Sequence, residues 1–285
     1  MYLNPRIIAR ICHMRDEYTH APLPRREFLQ RLARLAGGAA AAAALLPFLE
    51  NAYADQVRRD DARLETGYLE YGGIRCYVAR PKNAAGKLPA VVVIHENRGL
   101  NAHIEDVARR AALEGFAAVA PDLLSPQGGT PKDEDQARGL IGRLDRGQTV
   151  TNLLAVLNDL AGRGETGKLG CLGFCWGGGM ANQLAVHSER IAAAAPFYGE
   201  VPDALDVPRI KARLLLHYAE RDPRINTGVP AYEGALKAAG VQHAIHIYPG
   251  TDHAFHNDTA GARYNKEAAE LAWSRTIAFL KDALR

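Results

Sequence analysis

Short apolar runs alternate with segments of helical periodicity from Thr66 to the end of the chain. An uninterrupted apolar run is typical of a strand buried on both faces, whereas apolar residues three and four positions apart indicate a helix packed on one side. Strands are predicted at 68–71, 74–79, 90–94, 116–120, 169–174, 191–198, 212–218 and 244–248, and helices at 104–114, 150–161, 180–187, 229–239 and 266–284. This order predicts an α/β fold with a mostly parallel central sheet and helices on both faces.

Two segments depart from this alternation. Residues 125–146 are rich in Gly, Pro and charged side chains and predict a cap-like insertion over the strand ends. The polar residues 55–65 predict a flexible arm before the fold. No internal repeat or interior linker divides residues 66–285, so we expect one domain there.

The first 54 residues have the organisation of an export signal. The segment from Pro24 to Gln30 resembles the twin-arginine motif, and an uncharged, Ala-rich run from Leu35 to Leu49 follows it. That run is shorter than the roughly 20 residues of a membrane-spanning helix, and Ala52-Tyr53-Ala54 provides a cleavage site. We therefore predict a signal peptide over residues 1–54, with Met14 as an alternative start, and export through the twin-arginine translocon to the periplasm. An uncleaved amphipathic helix is the alternative.

The charge balance excludes one large class of partners. The formal net charge of +3 comes from the predicted leader, and the rest of the chain has equal numbers of cationic and anionic side chains. A balanced chain offers no basic field for nucleic acid. No stable membrane association is expected once the leader is removed.

The cysteines indicate one reactive thiol. Cys12 lies in the predicted leader, which leaves Cys76, Cys171 and Cys175 in the mature chain. Because three is an odd number, at least one thiol stays free. Cys76 and Cys171 both lie in apolar, strand-like runs, so two buried thiols and one reactive thiol are the favoured interpretation. A disulfide between those two is left open.

Cys175 lies between a predicted strand and a predicted helix, at the centre of Gly173-Phe174-Cys175-Trp176-Gly177-Gly178. In a nucleophile elbow the central residue occupies a strained turn above the sheet, and the residues two before and two after it must be small. The pattern predicts Cys175 as a nucleophile. A buried, inert cysteine at a glycine-rich turn is the alternative.

Two further reactive side chains follow predicted strands. Asp222 comes after the seventh strand and His253 after the eighth. Ligands of parallel sheets bind outside the carboxyl ends of the strands, and the order nucleophile, acid, histidine is that of the α/β-hydrolase triad. We therefore predict a catalytic triad with Cys175. For the two oxyanion donors that acyl transfer requires, we expect the backbone amides of Trp176 and Asn97.

Several motifs together resemble the dienelactone hydrolase (carboxymethylenebutenolidase-like) family. They are Glu96 after a strand, Asn101 at a helix start, Gly115-Phe116, Pro121-Asp122-Leu123, Gly-x-Cys-x-Gly-Gly around Cys175 and Asp-His-Ala-Phe around His253. The resemblance extends over nearly all of residues 66–285. It implies an α/β-hydrolase fold whose Cys-Asp-His triad opens lactones or cleaves esters without a metal or an organic cofactor.

The resemblance also implies a gating role for Glu96, which would hold the resting thiol and move aside when substrate arrives. A salt bridge between Glu96 and Arg98 is the alternative. One position departs from the dienelactone enzyme, which has a substrate-binding arginine four residues beyond the catalytic histidine, where this chain has Asn257. A neutral amide is a poor replacement for bidentate carboxylate recognition. Arg98, Arg138 and Phe255 are the remaining candidates for substrate contacts.

We expect a periplasmic hydrolase of a small ester or lactone that works through an acyl-thioester. An exported, non-catalytic ligand-binding protein on the same fold is the alternative from another class. A thiol redox protein is disfavoured because the chain has no C-x-x-C pair. Its histidines also lack zinc-like spacing with cysteines or acidic residues, so no metal site is expected.

Overall fold

The computed structural model describes residues 25–36, 38 and 56–285. The strands are β1 (Leu64–Tyr71), β2 (Ile74–Pro81), β3 (Leu88–Ile94), β4 (Ala117–Pro121), β5 (Thr166–Phe174), β6 (Ile191–Phe197), β7 (Arg213–Arg221) and β8 (His243–Asp252). The helices are α1 (Arg25–Ala36), α2 (Ala102–Leu113), α3 (Glu134–Ile141), α4 (Arg146–Gly162), α5 (Trp176–His187), α6 (Pro223–Asn226), α7 (Val229–Ala238) and α8 (Lys266–Ala283).

The eight strands found in the described ranges belong to one sheet, in the order β1-β2-β4-β3-β5-β6-β7-β8. The pairs β1-β2 and β2-β4 are antiparallel, and the remaining neighbours are parallel. Gly72 and Gly73 both have positive φ, 57° and 79°, and form the turn of the predicted β1-β2 hairpin. The sheet confirms the predicted fold class.

Two apolar layers cover the two faces of the sheet, and alternate residues of β3 enter different layers. Val91 and Val93 pack with α2 and α8 in one layer, while Ala90 and Val92 pack with α4, α5 and α7 in the other. Both faces of β3 are therefore buried against apolar side chains. This explains why its sequence reads as a continuous apolar run instead of an alternating one.

The strands that precede the predicted acid and histidine extend further than their apolar runs. β7 and β8 are parallel neighbours, and their pairing continues to Arg221 and Asp252. The next residues along the chain are Asp222 and His253. The pairing of Arg221 with Asp252 therefore places Asp222 and His253 next to each other at one edge of the sheet.

Two residues of the segment predicted to be a flexible arm, Gln56 and Val57, contact the rest of the fold. Val57 is buried, and its backbone N–H donates to Asp106 Oδ1 at 2.8 Å while its carbonyl accepts from Arg109 at 2.7 Å. Gln56 donates to Asp258 Oδ2 at 2.6 Å. These contacts satisfy buried polar groups of α2 and hold the segment against it.

The predicted insertion at 125–146 contains a short 3₁₀ turn (Ser125–Gln127), the helix α3 and the loop that leads into α4. Asp122 organises its start, because its carboxylate accepts from the backbone N–H and the hydroxyl of Thr130 at 2.8 and 2.7 Å. Gly99, with φ of 72°, passes so close to Thr130 that a Cβ there would lie 2.3 Å from the hydroxyl oxygen. The insertion is therefore tied to the loop after β3.

Most of the predicted leader lies outside the described residues. That applies to the apolar run beyond Ala36 apart from Gly38, and to the cleavage site Ala52-Tyr53-Ala54. Within the described part, Arg25–Ala36 is helical. No helix in the described ranges combines the length and the apolar character needed to cross a membrane.

Helix α5 approaches the sheet so closely that its first turn requires glycine. A Cβ on Gly178 would lie 2.5 Å from the carbonyl oxygen of Phe197, and a Cβ on Gly199 would lie 2.2 Å from the carbonyl carbon of Gly178. Gly179 is different, since a Cβ there would have only ordinary contacts, the nearest at 3.5 Å from Glu200.

Neighbouring glycines of α5 should therefore respond oppositely to alanine. Gly178→Ala is expected to lower the free energy of unfolding by about 1–3 kcal/mol, because backbone atoms must move. Gly179→Ala is expected to raise it by up to about 0.5–1 kcal/mol, because the unfolded chain loses freedom. Urea unfolding of both variants followed by circular dichroism measures the two values. Equal effects would contradict the described approach of α5 to β6.

Candidate active site

The turn between β5 and α5 holds Cys175 in a conformation that few residues adopt. Its φ is 54° and its ψ is −118°, and its backbone N–H donates to the carbonyl of Phe197 at 3.0 Å. A Cβ on Gly173 would lie 2.1 Å from the carbonyl oxygen of Gly177, and one on Gly177 would lie 2.3 Å from that of His95. These are the small residues that the predicted elbow requires. The thiol is half-buried and lies in a cleft.

Three predicted side chains meet at this turn. His253 Nε2 lies 3.0 Å from Cys175 Sγ, and His253 Nδ1 lies 2.5 Å from Asp222 Oδ2. Asp222 is 5% exposed. Because the carboxylate can only accept a hydrogen bond from Nδ1–H, it presents Nε2 to the sulfur. The arrangement can therefore move a proton between the sulfur and the imidazole.

The surroundings of His253 favour its protonated form. Burial by itself lowers the pKa of the imidazole, but hydrogen bonds to Asp222 and Cys175, together with their charges, raise that pKa to about 10. An imidazolium beside Sγ stabilises a thiolate, which is the nucleophilic form of cysteine. His253 thus places a cation beside the sulfur of Cys175.

Buried His95 fixes the corner after β3. Its Nδ1 lies 2.7 Å from the carbonyl oxygen of Glu96 and must donate to it, so its Nε2 accepts from the backbone N–H of Leu123 at 3.3 Å. Burial lowers the pKa of His95, which keeps this neutral tautomer. The ring also stacks on Trp176, with 5.3 Å between the ring centroids. His95 therefore connects both segments that are predicted to supply oxyanion donors.

Asn97 and Trp176, the predicted oxyanion residues, both line the cleft beside Cys175. Trp176 is the first residue of α5, where backbone N–H groups have no acceptor within the helix and the helix dipole favours negative charge. The arrangement is suitable for an oxyanion. The assignment of these two amides stays a prediction.

Glu96 does not form the alternative salt bridge with Arg98. Its Oε2 accepts from Asn257 Nδ2 at 2.5 Å, and Arg98 pairs with Glu134 of α3. Glu96 is only 6% exposed, and the hydroxyl of Tyr198 faces its carboxylate. Burial, the charges of Glu96 and Cys175, and the interaction of the hydroxyl with Glu96 raise the pKa of that phenol.

The cleft has a volume of about 620 Å³ and a strongly charged lining. Four arginines line it together with Glu96, Glu200 and Asp222; they are Arg138, Arg146, Arg224 and Arg263. Two of them, Arg146 and Arg224, lie 3.8 and 3.7 Å from the carboxylate oxygens of the exposed Glu200. Such long, exposed ion pairs cost little free energy to rearrange.

Of the three residues predicted to contact substrate, only Arg138 lines the cleft. Phe255 is fully buried in the layer that contains α2 and α8, because its ring packs between Tyr198 and Tyr248. Arg98 is buried in its ion pair with Glu134. The predictions for Phe255 and Arg98 are therefore wrong as direct contacts.

Sequence analysis missed several residues of the site. Arg224, Ile225 and Glu200 were overlooked because they lie just after strands β6 and β7, in segments without a motif. Their positions were the available signal, because the ends of parallel strands converge at the cleft. His95 directly precedes Glu96, but nothing in the sequence indicates its structural role.

The other cysteines and a neighbouring histidine do not enter the site. Cys76 and Cys171 are free and buried, as the favoured interpretation has it, and burial raises the pKa of Cys171 to about 12. Burial and nearby cationic groups lower the pKa of His256 to about 3, so this residue stays neutral between Phe174 and Trp273. No group of three or more potential metal ligands occurs within the described ranges.

Comparison with known proteins gives consistent matches over the folded part of the chain. The model of the dienelactone hydrolase family matches residues 74–284. A protein of Saccharolobus solfataricus named "Putative carboxymethylenebutenolidase" is 35% identical over 248 residues, which cover 73% of this chain and 93% of that protein. A protein of the same name from Escherichia coli K12 is 33% identical over 221 residues, covering 72% and 81% of the two chains.

The fold also matches solved structures. The crystal structure titled "Putative Dienelactone Hydrolase" from Klebsiella pneumoniae superposes with a TM-score of 0.69 and 30% identity, covering 76% of this chain and 98% of that one. The central sheet and its flanking helices are thus those of an α/β-hydrolase fold.

The raised pKa of His253 leads to a prediction about thiol reactivity. With a pKa raised to about 10, the imidazole of His253 holds its proton at neutral and mildly acidic pH, and a cation beside a sulfur makes a cysteine more reactive. We expect iodoacetamide to alkylate Cys175 rapidly at pH 6, and His253→Gln to slow this reaction by at least about tenfold. Mass spectrometry of the labelled peptide measures the rate. Buried Cys171 is the internal control, and equal rates at the two cysteines would contradict the prediction.

Proposed function

Since the chain belongs to the dienelactone hydrolase family, we propose that it hydrolyses a small ester or lactone through an acyl-thioester on Cys175. The observation that carries the proposal is the continuous chain Sγ, Nε2, Nδ1 and Oδ2, with separations of 3.0 and 2.5 Å across its two contacts. A nucleophile in contact with a base that a third group orients is the signature of nucleophilic catalysis.

In the first step Cys175 Sγ attacks the carbonyl carbon of the substrate and forms a C–S bond, while the π electrons move to the carbonyl oxygen. The backbone N–H groups of Trp176 and Asn97 stabilise that oxyanion. Collapse of the intermediate breaks the C–O bond, and the leaving oxygen takes the proton from His253 Nε2. A lactone opens here without losing any fragment.

In the second step water attacks the thioester, and His253 accepts its proton. The C–S bond breaks, and the sulfur leaves as a thiolate beside the imidazolium, which restores the starting ion pair. Asp222 keeps Nδ1 protonated throughout and stabilises the imidazolium, without becoming protonated itself. No metal or organic cofactor is required for any step of this proposal.

The charges of the cleft favour substrates with an anionic group away from the scissile bond. Within the described residues, the ion pairs of Arg146 and Arg224 are long contacts to Glu200, so a substrate carboxylate could displace that side chain. Asn257 is buried and bonded to Glu96, and it is therefore unable to replace the arginine of the dienelactone enzyme. Substrate recognition is proposed to differ from that enzyme for this reason.

Glu96 is proposed to control the nucleophile. It lines the same cleft as Cys175, and a carboxylate close to sulfur opposes thiolate formation. Its position is therefore expected to affect how readily the thiolate forms and how readily the sulfur is oxidised.

We propose export to the periplasm by the twin-arginine translocon, which the leader sequence supports. The mature chain should begin at Asp55. Mass spectrometry of protein recovered from a periplasmic fraction measures that terminus, and Arg25→Lys combined with Arg26→Lys is expected to retain the uncleaved chain in the cytoplasm. Recovery of the double variant from the periplasm at the wild-type level would contradict export by the twin-arginine translocon.

Removal of the nucleophile provides the direct test of the activity. Cys175→Ala should abolish the p-nitrophenol burst from a short-chain p-nitrophenyl ester and reduce turnover by at least about 10³-fold. Cys171→Ala is the matched control, because that thiol is buried below the site and should leave turnover within about twofold. Ligand binding without turnover by the wild-type protein would favour the non-catalytic alternative.

A further inference from the structure

We propose that Asn257 is a positioning residue that holds the Glu96 carboxylate in one place. The sulfur of Cys175 then contacts His253 and not Glu96. This inference rests on the proposed nucleophilic role of Cys175. It assigns a function to the residue that occupies the place of the arginine in the dienelactone enzyme. Asn257 lies four residues after His253, and its side chain points into the protein interior, where only 4% of the residue is exposed.

The orientation of the Asn257 amide is determined by its own loop. Its Oδ1 accepts from the backbone N–H of Thr259 at 2.8 Å and from the Thr259 hydroxyl at 2.6 Å. A backbone N–H can only donate, so this oxygen cannot exchange places with the amide nitrogen. The nitrogen is therefore directed at Glu96 Oε2, 2.5 Å away.

The loop that carries Asn257 is anchored to α2 by the residue that follows Asn257. The next residue, Asp258, lies 2.5 Å from Arg110 and 3.0 Å from His103, both on α2, and it also accepts from Gln56. Burial opposes ionisation of Asp258, but hydrogen bonds and charges from His103 and Arg110 outweigh it and lower the pKa of this carboxyl. Because Asp258 is anchored in this way, Asn257 holds Glu96 against a fixed part of the fold.

The hold on Glu96 is one-sided. Asn257 donates to one carboxylate oxygen of Glu96, Oε2. The other oxygen, Oε1, is buried and faces the region of the Tyr198 hydroxyl, with which the carboxylate also interacts. Glu96 and Cys175 line the same cleft. A Glu96 released from Asn257 would therefore be expected to turn toward another donor of that cleft, among them the thiol of Cys175.

Rotation of Glu96 toward the sulfur would compete with His253. A carboxylate that accepts the S–H proton as a hydrogen bond stabilises the thiol, whereas the imidazolium stabilises the thiolate. With Asn257 in place the sulfur instead contacts His253 Nε2 at 3.0 Å. Asn257 thereby favours the reactive form of the nucleophile before any substrate is bound.

The alkylation rate of Cys175 by iodoacetamide between pH 5 and 9 tests this role without any substrate. Asn257→Ala should slow alkylation at pH 6 by at least about tenfold, as expected when a hydrogen bond to a charged group is lost. The pH midpoint of the reaction should rise at the same time. Asn265→Ala is the matched control, because it removes an asparagine that caps α8 and leaves the cleft intact.

A double variant separates positioning from a merely structural effect. If Glu96 is the group that Asn257 restrains, then Glu96→Gln combined with Asn257→Ala should restore the alkylation rate of Glu96→Gln alone. Thr259→Val removes one donor to Asn257 Oδ1 and should slow the alkylation of Cys175 less than Asn257→Ala does. This variant replaces Asn257→Ala in the test if Asn257→Ala lowers the folded fraction. Ester turnover is measured separately, so an inactive wild-type protein would count against the proposed function and not against this role.

Two results would overturn the inference. One is an unchanged alkylation rate and pH profile in folded Asn257→Ala. The other is a double variant that stays as slow as Asn257→Ala, because the slowing would then not depend on the Glu96 carboxylate.

Discussion

The close approach of one helix end to the sheet is the constraint on which the rest of the site depends. Cys175 has positive φ, and its neighbours Gly173 and Gly177 have carbonyl oxygens within 2.1 to 2.3 Å of where a Cβ would be. Such a turn is strained for a cysteine, and it persists only because surrounding contacts hold the backbone in this conformation. These contacts are the hydrogen bond from Cys175 N–H to the carbonyl of Phe197 and the close approaches of the glycines of α5.

The electrostatics of the site follow from the same geometry. An elbow placed at the end of β5 brings the sulfur beside the residues that follow β7 and β8. The register of these two strands shifts between Ala219 and Arg221, and Arg221 then pairs with Asp252 directly before Asp222 and His253. The imidazole is therefore enclosed between an acid and a sulfur in a partly dry environment, where both neighbours favour its charged form. Backbone pairing over long distances thus sets the protonation state of one side chain.

The sequence predicted most of the scaffold because its signals are local. The glycine pair at 72–73 and the apolar run of β3 each depend on neighbouring residues, and both features are present. The ends of β7 and β8 were placed too early, because their apolar runs stop before the last paired residues, Arg221 and Asp252, which are charged. The three reactive side chains could be predicted because the ends of parallel strands converge.

Contacts between distant parts of the chain were beyond the reach of sequence patterns. Asn257 and Glu96 are 161 positions apart, and Val57 and Asp106 are 49 positions apart. Nothing local distinguishes such residues from ordinary loop positions. The same holds for Phe255, whose neighbours His253 and Ala254 line the cleft although its own ring turns inward.

The docking of Gln56 and Val57 has a practical consequence for anyone who produces this protein. These residues connect α2 to Asp258, five positions beyond His253. An expression plasmid whose open reading frame starts at β1, where the regular alternation of strands and helices begins, would discard that connection. Recombinant material intended for crystallisation or assay is better begun ahead of Gln56, with any purification tag attached through a spacer.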